Sequence, residues 1–161
     1  MFAPLGIHAA AGAAKRLLRP RRASLRALTA YPLLLALPVH VLTHRLLPCD
    51  PAPPVRALGP AELDYELVKA ALARWPVRSW ALYGALVACV LVHACEGWAL
   101  VARTWGGGRG GGRRTRRAAA GAAVGVVLSG LLVVAREPLL ALESTLVRIH
   151  ASYSGSIVYR I

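Results

Sequence analysis

Three long apolar runs, separated by short polar and basic stretches, set the pattern of this chain. The clearest is Ser79–Ala102, 24 residues with no Lys or Arg and a single acid, Glu96. At about 1.5 Å rise per residue, such a run crosses the roughly 30 Å hydrocarbon core of a bilayer with little to spare. Trp80 and Tyr83 at one end and Trp105 at the other fit the two membrane–water interfaces, where amphipathic rings are favoured. The pattern predicts a transmembrane helix over 79–104. Ala27–His44 is 18 residues without a formal charge and predicts a second over 24–47. Pro32 and Pro38 should bend or interrupt it, which membrane helices tolerate where neighbours satisfy the freed carbonyls. The third run predicts a helix over 118–136, in which Gly121 and Gly125 offer a small-xxx-small face for close packing.

The intervening segments are of other kinds. Residues 1–18 are apolar and then basic, too short to span, and read as the last turns of a membrane helix. Residues 60–75 predict an amphipathic surface helix. Pro60 suits its first position, Glu62, Asp64 and Glu66 suit its positive end, and Pro76 stops it. Leu63, Leu67, Ala70 and Trp75 recur there at helical spacing, so the strip should lie on the membrane face. Pro48–Pro54 reads as a stiff, extended link, its Pro51-Ala52-Pro53 a spacer. Residues 106–117 read as a flexible Gly/Arg loop without the strand–helix context of a phosphate-binding loop. Residues 138–151 read as a second interfacial helix before a tail. The fold class that follows is all-α: an integral membrane helical bundle in one domain, with about three full spans, a partial N-terminal helix and amphipathic surface helices.

Composition agrees. Of 161 residues, 57% are hydrophobic and 17% charged, too apolar for an ordinary soluble domain. The net charge of +13 would suit nucleic acid, but its basic residues sit in blocks flanking the apolar runs, which is the pattern of membrane-anchoring loops. The densest blocks, 15–26 and 103–117, are separated by two spans and so share a side. The 50–78 segment, with four basic and four acidic residues, faces the other. Arg21, Arg22, Arg113, Arg114, Arg116 and Arg117 are candidate contacts for anionic lipid headgroups, at about 1 kcal/mol per basic residue near the surface. For the 15–26 block, the commoner reading is a topology determinant with no specific ligand. Three cysteines (Cys49, Cys89 and Cys95) without a CxxC imply neither a disulfide framework nor a zinc site.

The candidate chemistry lies in the histidines. His8 precedes Gly12, and His93 precedes Gly97, by four residues each, so each pair shares a helix face. A b-type haem between membrane helices needs an imidazole from each of two helices and small residues that let the flat macrocycle approach. His93 and His40 are the candidate iron ligands, with His8 as a further one. The plainer alternative is that these histidines hydrogen-bond neighbouring helices, with Glu96 a ready partner for His93. His44 reads as polar edge near Arg45, and His150 as exposed. No nucleophile–base pair or paired carboxylates point to an enzyme.

The runs AYPLLLALPVHVLTHRLLP and LDYELVKAALARWPVRSWALYGALVACVLVHACEGWALVARTW resemble a known family. It is the transmembrane domain of the fungal mitochondrial outer-membrane adaptor that docks a bridge-like lipid-transfer protein. The matching features are His8/Gly12, His40 to Pro48, the acidic Asp64-Tyr65, Pro76/Ser79/Trp80, and His93/Gly97. The pattern is distantly similar to the haem-binding membrane anchors of succinate dehydrogenase and fumarate reductase. The resemblance implies a multi-pass protein of the mitochondrial outer membrane that supports lipid homeostasis and membrane contact sites as an adaptor. It further implies that this sequence starts within the family's first helix and lacks its Pro-x-Pro docking peptide. A haem-b anchor of a redox complex is the alternative.

Overall fold

The computed structural model describes residues 3–19, 24–106 and 112–160. Arg21, Arg22 and the centre of the Gly/Arg segment lie outside them. The described residues are mostly helical and none of them is in a strand; three of the helices are long and apolar enough to cross a membrane: Leu25–Cys49, Pro76–Trp105 and Arg113–Arg136. We label the helices α1 (Ala3–Leu18), α2 (Leu25–Val41), α3 (Tyr65–Arg74), α4 (Pro76–Trp105), α5 (Arg113–Arg136), α6 (Glu143–Ser154) and α7 (Ile157–Arg160).

Ser24 starts α2, its hydroxyl accepting from the Ala27 amide at 3.3 Å. The helix runs through both prolines. Beyond Pro38 it loosens into a π-helical turn, Leu42–Leu46, and then tightens into a 3-10 turn, Leu47–Cys49. Pro76 plays two parts: it stops α3 through the linking residue Trp75, and it opens α4, where its missing N–H costs nothing. The second span therefore begins three residues before the expected Ser79. α5 begins five residues before the expected 118. Arginine is a good helix former, and the glycine stretch ends at Gly112, whose extended backbone (φ −64°, ψ 152°) is that of an N-cap. Residues 113–117 are thus helix rather than loop.

α2 and α4 run antiparallel, with Arg26 beside His93 and His44 beside Tyr83. α5 packs on α4. Their basic ends share one side, as the charge blocks predict. α1 has no buried residue and touches the bundle through Arg16 over the Tyr31 ring and His8 against His93.

The other end of the bundle carries a folded cap, and here the sequence expectations need correction. The 60–75 helix does not lie bare on a membrane face. Its helical part begins at Tyr65, and Leu67, Ala70, Ala71 and Leu72 are buried against α4, α5 and α6. The 138–151 segment is extended until Leu142, and the supposed tail completes the core. Ile149 and Tyr153 are fully buried, and Tyr159 nearly so, together with Val55, Leu58 and Leu67. The small side chains at Ala70 and Ala71 allow this close approach. Gly155 does the same at the end of α6, because a Cβ there would meet Leu47 Cδ2 at 2.8 Å.

The 50–58 link is curled rather than extended. The Ala52 amide donates to Asp50 Oδ1 at 2.9 Å, the Ala57 amide to the Asp50 carbonyl at 2.7 Å, and Leu58 to Pro48 at 2.8 Å. Arg56 and Ala57 both take positive φ (54° and 48°), a conformation that costs about 1–2 kcal/mol per non-glycine residue. Arg148 of α6 offsets it, donating to the Val55 carbonyl at 2.9 Å and pairing with Glu62. A second ion network ties the segment between α5 and α6 to α3. Buried Lys69 pairs with Glu66 and donates to the Pro138 carbonyl at 2.8 Å, while Glu66 accepts from the Leu140 and Ala141 amides.

These contacts fix the cap's response to acid. The Gly59 amide and Arg148 hold the Glu62 carboxyl below its ordinary 4.5. Burial pushes Glu66 up, but Lys69 and the two loop amides outweigh it and hold it below 4.5 as well. Burial, reinforced by Arg74, lowers His150 from 6.5, so the folded cap resists its protonation. All three groups take up protons more readily when unfolded, so each contributes stability that is complete above its unfolded value and lost as pH falls. Thermal unfolding in detergent should therefore fall in two stages, below about pH 6.5 and again below about pH 4.5. His150→Gln should make the first stage shallower and Glu62→Gln the second.

Candidate functional site

Three polar groupings lie within or against the spans. The first joins bundle and cap. His44, in the π-turn, has Nε2 3.0 Å from Tyr83 Oη and 3.2 Å from Tyr153 Oη, and the two phenol oxygens are 3.2 Å apart. Tyr153 Oη also lies 3.2 Å from the Leu67 carbonyl. On the other edge, His44 Nδ1 faces Thr43 Oγ1 at 2.8 Å and the His40 carbonyl at 3.2 Å, while Thr43 donates to Val39. One tautomer satisfies every group. Nδ1–H donates towards Thr43 and His40, Nε2 accepts from Tyr83, and Tyr153 donates to Leu67. Burial, with Tyr83 close by, pushes the Tyr153 phenol well above its ordinary value, so it stays a donor.

His40 belongs to this grouping. Its ring stacks on His44 at 4.3 Å, and it lines a narrow crevice with Thr43, Leu82, Tyr83 and Leu86. This corrects the expected pairing of His40 with His93. His93 sits beside Arg26, and His40 lies fourteen residues further along the same helix, about 21 Å at 1.5 Å per residue. The expectation that His44 is polar edge is likewise replaced. Its Tyr83 and Tyr153 partners come from α4 and α6. His150 is half-buried against the Trp75 ring at 5.7 Å rather than exposed. Tyr83, expected to anchor at an interface, is 8% exposed and turned inward. The signal available in sequence was the Thr43-His44 step four residues after His40, which places two imidazoles on one face.

The second grouping is His8 and His93. Their ring centroids are 6.0 Å apart and their planes nearly perpendicular at 87°. His93 Nδ1 lies 3.0 Å from the Arg26 carbonyl, which fixes the proton on Nδ1 and leaves Nε2 with a lone pair. A Cβ added at Gly12 or Gly97 would meet nothing within 4 Å.

The third grouping is Glu96 with the start of α5. Glu96 does not bond His93; it pairs with Arg116 at 3.4 Å. A cavity of about 160 Å³ opens beside this pair, lined by Leu25, Val92, Cys95, Arg117, Ala120 and Gly121. Arg113, Arg114 and Arg117 are exposed on the same turns. The three cysteines are free, and no cluster of three His, Cys, Asp or Glu fit for a metal ion occurs among the described residues.

A family model for the transmembrane domain of MDM10-complementing protein 1 matches residues 35–138. The chain belongs to this family. The match begins within α2, takes in α3, α4 and α5, and ends just past α5, so it covers two spans in full and the latter part of the first. Together with the three spanning helices, it makes this a multi-pass membrane protein. No curated protein and no solved structure matches the chain. α6 and α7, which complete the cap, lie outside the matched residues.

The His44 grouping should behave as a structural joint. Tyr153→Phe removes a buried hydroxyl and its bond to the Leu67 carbonyl, which should cost about 0.5–1.5 kcal/mol. Thermal unfolding in detergent, followed by circular dichroism, reads this directly. Tyr65→Phe, at an exposed phenol, should be silent.

Proposed function

We propose that this protein is a mitochondrial outer-membrane scaffold of the MDM10-complementing protein 1 family that supports lipid homeostasis and membrane contact. The family match carries the reading. The two-sided architecture supports it: a basic face rests on anionic headgroups at one side, and a folded cap presents a fixed surface at the other. The work is anchoring and presentation, without bond-making chemistry. A bridge-like lipid-transfer protein is the partner this reading names. The exposed Pro51-Ala52-Pro53 is held in a turn, so the cap rather than this link would meet it. Expressed in cells, the full chain should resist carbonate extraction and fractionate with outer-membrane markers. Steady residence in the endoplasmic reticulum or inner membrane would overturn the assignment.

A second reading, binding of a b-type haem, is supported by one observation: the His8–His93 pair. Their ring centroids lie 6.0 Å apart, and a Cβ at Gly12 or Gly97 would meet nothing within 4 Å. His8 and His93 would hold the iron, with the Arg26 carbonyl orienting the His93 ring. Haem would supply one-electron chemistry, and Lys15 and Arg26 lie near enough in sequence to meet propionates. Purified protein should then give a dithionite-reducible b-type spectrum that His8→Ala and His93→Ala abolish and His40→Ala spares. A flat spectrum from folded protein removes this reading and leaves the scaffold.

A further inference from the structure

The cavity beside Glu96 and Arg116 has a position and a lining that the histidine sites do not explain. It lies where α2 begins, where α4 approaches its last two turns, and where α5 starts, so all three spans border it. This is the bundle end that carries the basic blocks, and hence the level of lipid headgroups. Its wall changes character along the membrane normal. Arg116 and Arg117 stand at the α5 end, and one turn deeper come Ala120 and Gly121, facing Val92. Ala120 is buried and Gly121 open, and a Cβ at Gly121 would meet nothing within 4 Å.

The charge balance narrows the occupant. Glu96 is matched by Arg116, which is held at the wall with its side chain 15% exposed. Among the described residues, the wall carries two guanidiniums against one carboxylate, a net charge of +1. A free acid group is not offered, so a purely cationic ligand gains nothing there. A guanidinium suits a phosphate through paired, charge-assisted hydrogen bonds. The volume, about 160 Å³, would take roughly a dozen waters, enough for a phosphate and adjoining glycerol carbons but not a whole lipid. Acyl chains would leave past Ala120, Gly121 and Val92 into the bilayer.

We propose that this cavity is a binding site for the phosphate–glycerol headgroup of a single anionic phospholipid. Arg117 meets the phosphate, and Glu96 sets Arg116 beside it. The inference deepens the reading of the basic face as a headgroup contact and rests on it for sidedness. It differs in assigning one lipid to one site, where the general reading spreads attraction over all the arginines.

The test is native mass spectrometry of the delipidated full chain, titrated with phosphatidylglycerol, phosphatidylcholine and inorganic phosphate. One phosphatidylglycerol should bind per chain, with affinity roughly tenfold above phosphatidylcholine. Arg117→Ala should lower that affinity about tenfold. Gly121→Leu, which fills the cavity without touching charge, should do the same. Arg113→Ala/Arg114→Ala, a larger loss of charge outside the cavity, should change it less than about twofold. Equal losses from the outer pair and from Arg117, with Gly121→Leu silent, would overturn the site and leave the diffuse basic face standing. No preference for phosphatidylglycerol over phosphatidylcholine would overturn both. Displacement by inorganic phosphate at the lipid's own concentration would identify a free-anion site and overturn the lipid assignment. Circular dichroism of each variant confirms that the helices persist.

Discussion

Tyr153 is the point on which the two halves of this molecule depend. Its ring is fully enclosed, and its hydroxyl meets a histidine from one span, a tyrosine from another and a backbone carbonyl from the cap. Helices in lipid gain little from apolar contact with one another, because acyl chains are as apolar as leucine. Shape and hydrogen bonding must hold them. A closed polar knot where the bundle leaves the hydrocarbon supplies both, and it is satisfied without any net charge. The ion networks around Lys69 and Arg148 then need only orient the cap, since position is already set.

Seen this way, the two ends of the bundle solve opposite problems. At the cap end, polar groups are enclosed and paired within the protein. At the basic end, arginines crowd the first turn of α5, where the helix dipole disfavours positive charge. Among the described residues, Arg116 alone of these is answered by a carboxylate from a neighbouring span. The remainder look outward, to water and headgroups. A chain built like this is oriented by its charges and made rigid by its tyrosines.

The spans were legible because a run of apolar residues long enough to cross a bilayer needs no partner to be recognised. Their sidedness was legible too, from where the arginines fall. The cap was not. Its core is made of alanines, tyrosines and single aliphatics spread over two distant segments, and neither segment carries a strong periodic signal alone. The C-terminal stretch read as a tail because ASYSGS looks solvent-facing until Tyr153 is given His44, more than a hundred residues away, as a neighbour. The histidines failed in a related way. Spacing placed His93 and Gly97 on one face correctly, but pairing between helices depends on antiparallel register. That register sets Arg26, not His40, opposite His93. The early start of α5 was missed because a block of arginines after glycines resembles a loop, although arginine itself favours helix.

The cap's division between two distant segments has a consequence for how the protein is made. Residues 48–75 emerge first, yet Leu67, Ala70 and Ala71 find Ile149, Tyr153 and Tyr159 only after two further spans have been threaded. Until α5 and α6 have followed, the half-built cap presents bare apolar surface to whatever attends biogenesis. Completion of the C-terminus is thus the event that shields it. A chain stalled or clipped before α6 would be marked for removal by its own exposed core, while its membrane helices were already in place.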